Sequence, residues 1–271
     1  MSPLQSQIAP LLGSLLASAF LAPMMLPGHA QDAATKAELA PTGTLRVGLV
    51  EAPSAGLIFV CRAADGGLDG VTADLGADLA RHVGLPLAVT LFPNSGAAAA
   101  ALQAAAIDVS FMPVDATRRQ VIDFGPGYYD LESTYLASAG SGITDVAQVD
   151  RPGHRVVAIE GTTTFRASAR TLTRTQPLPV PSVAEAVARM RAGQADAFAL
   201  SRDTLRPVVL QVPGSRIVAG GFQQTQVAVA VPKGRPASLA RVTAWMDEVK
   251  RAGVVRRIFD ARGFHDDAVA P

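Results

Sequence analysis

An α/β fold is what this sequence predicts, and three observations carry that prediction. Short apolar and β-branched runs alternate with longer amphipathic runs along most of the chain. The intervening helices are long enough to serve as right-handed crossovers between parallel strands. The alternation restarts near Ser133, so two successive βαβ series predict two lobes and not one continuous sheet.

Each element has its own signal. Leu45 to Val50 reads as the first strand. Val71, Leu75, Leu79 and Val83 recur every four residues and predict a helix with one apolar face, stopped by Gly84. Pro86 to Phe92 is the next strand, Ser95 to Ala106 an Ala-rich helix with Ser95 as N-cap, and Ile107 to Met112 a third strand. The second series runs through strands at Ser133–Ser138, Arg155–Ile159, Leu178–Val180 and Asp196–Leu200. Its helices fall at Thr162–Leu172, at Ser182–Ala192 with a Ser182/Glu185 capping box, and at Asp203–Leu210. Strands at Ile217–Ala219 and Thr225–Val231 and helices at Leu239–Ala252 and Val254–Ala261 close the chain.

Composition agrees with a large globular core. The chain has 271 residues, is 49% hydrophobic and 17% charged, and carries a formal net charge of +1, which leaves no basic footprint for nucleic acid. Cys61 is the only cysteine, so no internal disulfide is possible, and a packed or surface thiol is favoured over a reactive one. Residues 1–30 stand apart. The apolar run Leu11 to Leu26 is broken by Pro23 and followed by Gly28-His-Ala30, which predicts a secretory signal cleaved before Gln31, although residues 1–10 lack Lys and Arg. Residues 31–43 read as a loose leader.

Enzyme signatures are missing from the sequence. It has no phosphate-binding loop, dinucleotide fingerprint, His-Glu-x-x-His or Gly-x-Ser-x-Gly, and His29, His82, His154 and His265 show no metal-ligand spacing. No cofactor and no metal is expected. A carboxylate-based enzyme stays open on these grounds.

The most informative stretch runs from Asp108 through Asp115-Ala-Thr-Arg118-Arg119 to Asp123-Phe124-Gly-Pro-Gly-Tyr128-Tyr129. It resembles the extracellular solute-binding proteins of family 3, where a Thr-x-x-Arg segment leads to a Val-Asp-Phe-Ser-x-Pro-Tyr signature. Further similarities follow in the family's order at Gly43–Gly48, Gly70–Ala80, Val156–Thr162 and Ala192–Ala197, so the resemblance spans most of residues 43–264. It implies a periplasmic-binding-protein-like type II fold, two α/β lobes joined by a two-strand hinge with a ligand cleft between them. Lobe 1 would comprise residues 44–134 and 223–271, and lobe 2 residues 135–222. The implied function is capture of a small carboxylate-bearing solute, an amino acid or related acid, in the periplasm. A monomer would hand it to an ABC transporter permease in the inner membrane.

The same resemblance assigns roles. Arg118 occupies the position of the family's carboxylate-binding arginine, and a guanidinium suits that task because it donates two parallel hydrogen bonds. Arg119 is expected at the surface. Gly161, Thr162 and Thr163, after a strand and at a helix start, offer backbone N–H groups and hydroxyls to an anion, or ordinary capping alone. Glu51 and Ser54 belong to the loop at the cleft edge. Asp123, Phe124, Tyr128 and Tyr129 are expected to be structural. The pattern departs at Ser201, where amino acid binders place an aspartate for the ligand's ammonium. Arg202 is adjacent and Asp203 two residues late. Either Asp203 serves, or the ligand is not an ordinary α-amino acid, and a dianion bridging Arg118 and Arg202 is one form it could take. Two other readings remain: a cyclohexadienyl dehydratase-like enzyme with Glu51 or Glu160 as general acid, and a ligand sensor for a receptor.

Overall fold

The computed structural model describes residues 27–51, 57–63 and 65–270, with side chains from Asp32 onward. The signal expected over residues 1–30 lies almost wholly outside these, as does Ser54. Of the segment expected as a loose leader, residues 31–39 instead belong to helix α1 (Pro27–Leu39), and 40–43 lead on to the first strand. Leu39 is 1% exposed and joins the main core. The Glu38 carboxylate accepts from the Ser238 N–H and hydroxyl, 2.8 and 3.2 Å away. Burial of one leucine and a charged cap on a neighbouring helix outweigh a weak intrinsic amphipathic signal.

The first series is β1 (Leu45–Val50), a small hairpin of β2 (Cys61–Arg62) and β3 (Leu68–Asp69), α2 (Val71–Val83), β4 (Leu87–Phe92), α3 (Ser95–Gln103), β5 (Val109–Pro113) and the single turn α4 (Ala116–Arg119). Strands β4, β1 and β5 pair in parallel. All four residues of the α2 stripe are buried, and Gly84 ends the helix in the left-handed region at φ 65°, where a Cβ is strained. The cap of α3 is Asn94, one residue before the serine expected, because its Oδ1 reaches the Gly96 and Ala97 N–H groups.

The second series starts with β6 (Ile122–Ala137), a 16-residue strand longer than the sequence predicts. Then come β7 (Val156–Ile159), α5 (Thr163–Thr171), β8 (Leu178–Val180), α6 (Val183–Arg191), β9 (Ala197–Ser201), α7 (Arg202–Val209), β10 (Arg216–Ile217), β11 (Gln223–Pro232), α8 (Pro236–Arg251) and α9 (Val254–Ala261). Half of the predicted capping box forms. Ser182 accepts from the Glu185 N–H, but the Glu185 carboxylate pairs with Arg189 one turn on.

Hydrogen bonding links both series into one path, β4-β1-β5-β11-β6-β9-β7-β8, with β10 on β6. The expectation of separate sheets is corrected on this point. Strand β6 pairs with β11 from Ile122 to Ser133 and with β9 from Ser133 to Ala137, so Ser133 is where it changes partner. The apolar cores stay separate. One large core packs around β1, β5, the first part of β6, α2 and α8. Two smaller ones cover opposite faces of β7 and β9, because alternate residues such as Phe198 and Ala199 point to opposite sides.

Candidate functional site

The carboxyl ends of the parallel strands in both series converge on one cleft that is partly open to solvent. That is where an open α/β sheet leaves room for a ligand. Asn94 and Ser95 at the start of α3, Thr162 to Thr164 at the start of α5, and Ser201 and Thr204 at the start of α7 supply its polar lining. Three helix N-termini therefore bring their partial positive charge to one space, with part of their first-turn N–H groups capped by Asn94 and Thr162.

Arg118 lies behind this lining and is 3% exposed. Its Nη1 donates to the Pro113 carbonyl at 2.8 Å, and its Nη2 to the Ser95 hydroxyl at 2.7 Å and the Gly161 carbonyl at 3.3 Å. All three acceptors are neutral. Asp115 caps α4 through the Arg118 N–H at 2.8 Å, and its other oxygen is taken by the Arg166 guanidinium from α5. Burial would raise the Asp115 carboxyl, but Arg166 and the Arg118 N–H hold it below the usual range. Burial, with repulsion from Arg166, pulls the Arg118 guanidinium down to about 10, against the attraction of Asp115, and it stays charged at neutral pH. The Asp115 carboxylate is paired with the Arg166 guanidinium and touches Arg118 only through its backbone N–H, so among the described residues the Arg118 guanidinium has no carboxylate in contact and the cluster carries one net positive charge.

This cluster spans the two series. Asp115, Arg118, Ser95 and Gly96 come from the first, and Gly161 and Arg166 from the second. The backbones meet there: a Cβ on Gly96 would lie 2.7 Å from the Gly161 carbonyl oxygen. Gly161 itself has φ 74° and turns β7 into α5.

The remaining sequence candidates divide. The Thr162 hydroxyl is consumed, accepting from the Phe165 N–H at 3.0 Å and donating to the Ile159 carbonyl at 2.7 Å, so the capping alternative holds for it. Thr163, 1% exposed, lines the cavity, and its hydroxyl has no partner among the described residues. Glu51 lies at the rim, 38% exposed and 3.1 Å from Arg62. Ser201 lines the cavity and donates to Thr204 at 2.9 Å. Arg202 is not among the lining residues: it pairs with Glu132 and donates to the Gly220 carbonyl at 2.7 Å, beside the strand where β6 changes partner. The N-cap geometry of α7 turns Ser201 inward and the next residue outward, so the structure brings Ser201 and not Arg202 to the cavity. Asp203 is buried one layer behind Ser201 and Thr204, and its Oδ1 has no hydrogen-bond partner among the described residues. Arg119 is exposed, its guanidinium 5.6 Å from the Phe124 ring. Asp123 binds Lys233 and the Gly234 N–H, and Tyr128 packs edge-on against Phe111 and Phe259.

Sequence reasoning missed Asn94, Ser95 and Arg166. The one available signal was the aspartate at position 115 in place of threonine, since a carboxylate there needs a cation opposite. Among the described residues no group of three or more His, Cys, Asp or Glu could hold a metal, and no helix is long and apolar enough to cross a membrane.

Fold and cavity together define a two-lobed binding protein of periplasmic-binding-protein-like type II. The match to known proteins narrows this. Residues 51–261 match the bacterial extracellular solute-binding proteins, family 3, and the chain belongs to that family. The ABC transporter glutamine-binding protein GlnH of Bacillus subtilis (strain 168) is 23% identical over 151 residues, 56% of this chain and 55% of GlnH. The matched region thus spans about half the length of that relative. Among solved structures, a mutant of ArgBP from T. maritima superposes with a TM-score of 0.73 at 22% identity, over 84% of this chain and 98% of the other. The ancestral amino acid-binding protein AncCDT-1, described as a precursor of cyclohexadienyl dehydratase, gives 0.72 at 23% identity over the same shares. At these identities the structural likeness speaks for the fold.

Proposed function

We propose that the protein captures a small carboxylate-bearing solute in the cleft between its lobes and delivers it to an ABC transporter permease. The observation that carries this is the uncompensated positive charge of the Arg118–Asp115–Arg166 cluster, buried behind a lining of helix N-termini. A buried cation whose acceptors are all neutral is costly, and an incoming carboxylate relieves that cost. The weakest of the three Arg118 contacts, at 3.3 Å, is the one to Gly161 across the cleft, and the ligand carboxylate takes its place. Arg118, Thr163, Gly161 and Ser201 are the contacts assigned to it, with Glu51 at the rim.

The lobes on this reading are residues 44–134 with 223–271, and residues 135–222, joined near Thr134–Ser138 and Gly220–Gln224. Ligand bound to one lobe gains contacts to the other only on closure, and that difference moves the population to the closed form. Cleavage of a signal before Gln31 and release to the periplasm as a monomer complete the picture. The contacts of Glu38 and Leu39 lie beyond that cleavage point and are retained.

An elimination enzyme on this scaffold needs a carboxyl acid in the cavity. Among the described residues Glu51 is the only acidic one in the lining, and it is tied to Arg62 at the solvent edge, while Glu160 is exposed. Binding without turnover is the better fit. The test is a thermal-shift and calorimetric screen of amino acids, oxo acids and dicarboxylates on wild type and Arg118→Ala. One class should stabilise wild type, with affinity at least about 100-fold weaker in the variant, as for loss of a buried charged hydrogen-bond partner. Equal responses from both proteins would remove Arg118 from the site. Conversion of a prephenate-like acid would favour the enzyme.

A further inference from the structure

The ligand of this cleft is an anion with an apolar body and no ammonium group: this we infer from the lining, and it rests on the binding role proposed above. Anion recognition is well supplied. The first turn of α5 leaves the Thr163 and Thr164 N–H groups outside its own helical ladder, and among the described residues the Thr163 hydroxyl makes no hydrogen bond. Ser95 accepts from Arg118 and keeps its own proton to donate. The Asn94 Oδ1 is bound to the α3 N–H groups, which leaves its amide nitrogen to donate as well.

Ammonium recognition has no matching provision. Among the described residues Glu51 is the only carboxylate in the lining, and it faces Arg62 at the rim. The loop that continues from it, Ala52-Pro-Ser-Ala-Gly56, contains no acidic residue. Asp115 is enclosed between Arg166 and the Arg118 N–H. Asp203 lies behind Ser201 and Thr204 and does not line the cavity. A desolvated ammonium in this space would face guanidinium groups and helix N-termini without a counter-ion. The rest of the wall is hydrocarbon: Val50, Phe59, Leu131, Ile159, Val183 and Leu200, drawn from both series. A small monocarboxylate with a branched or ring body suits this wall, and a 2-oxo oxygen would accept from the Thr163 hydroxyl.

Isothermal titration of the purified protein with matched pairs tests this: leucine against 4-methyl-2-oxopentanoate, and phenylalanine against phenylpyruvate. The oxo acid of a pair should bind at least about 100-fold more tightly, since burying an unpaired ammonium costs several kcal/mol. An amino acid that binds as well as its oxo counterpart overturns the inference. Failure of all four compounds overturns it too. If a dicarboxylate or polar amino acid then binds in an Arg118-dependent way, the binding role stands and only this ligand class falls. Ser201→Asp, which brings a carboxylate into the lining, should narrow the preference at least 10-fold relative to wild type. A folded variant with an unchanged preference counts against the inference.

Discussion

Asp203 shows how one misplaced carboxyl sets a pH dependence. Burial, with the charge of Asp267 adding to it against hydrogen bonds from Ser201 and Thr204, pushes it from the ordinary 3.8 up to about 6. The folded protein keeps this proton where the unfolded chain has released it, so the group's contribution to stability falls as pH rises from about 4 through 6. Asp203→Asn removes the ionisation. Chemical denaturation at pH 4, 6 and 8 should show wild type losing up to about 3 kcal/mol across that range and the variant losing less. Arg118 is the opposite case, a base pulled down to about 10. It remains charged from pH 5 to 8, so with the Asp203 ionisation removed in Asp203→Asn, anion binding should be flat across that range.

At the scale of elements, the helices are fixed by their ends as much as by their stripes. Asn94, Asp115, Thr162 and Ser182 each place a side-chain oxygen on the first-turn N–H groups of α3, α4, α5 and α6. Three of these starts face the cleft or the cluster behind it, so capping and site geometry share residues. Helix α1 depends on packing in a different way. Leu39 inserts into the main core, and Glu38 caps α8 through Ser238, so α1 is part of the folded unit and not a tether. Leu39→Ala should cost about 2–4 kcal/mol by urea denaturation, with ligand affinity unchanged because the site lies at the far ends of the strands. A loss under about 0.5 kcal/mol would mean that α1 is not docked in solution.

For the whole molecule, the decisive feature is the close approach of Gly96 and Gly161. Gly96 sits in the first turn of α3 with ordinary helical backbone, where alanine would favour the helix by up to about 1 kcal/mol. Its Cβ would meet backbone of the opposite lobe at 2.7 Å, and a carbonyl cannot yield as a flexible side chain can. Gly96→Ala should therefore leave the unliganded melting temperature equal or higher while weakening ligand binding by 10-fold or more. Small-angle scattering should show the variant with ligand more extended than liganded wild type. Equal affinity and equal closure would show that this contact is not part of the ligand-bound state.

The sequence by itself determined the alternation of strands and helices, the stripe of α2, the stop at Gly84 and the family, because these follow from residue periodicity, local backbone preference and ordered motifs. It placed Arg118, Thr163 and Ser201 on strand-to-helix turns for the same reason: such turns are local. It could not decide which neighbour of Ser201 faces the cavity, since Arg202 and Asp203 differ only by the rotation of one N-cap. Nor could it show that β6 runs through both halves, or that Asp115 meets Arg166 across 51 positions of chain. Partners that far apart are chosen by packing of the two series against each other, which no local pattern encodes. The charge left over in that cluster, and with it the kind of ligand the cleft can hold, exists only in the folded chain.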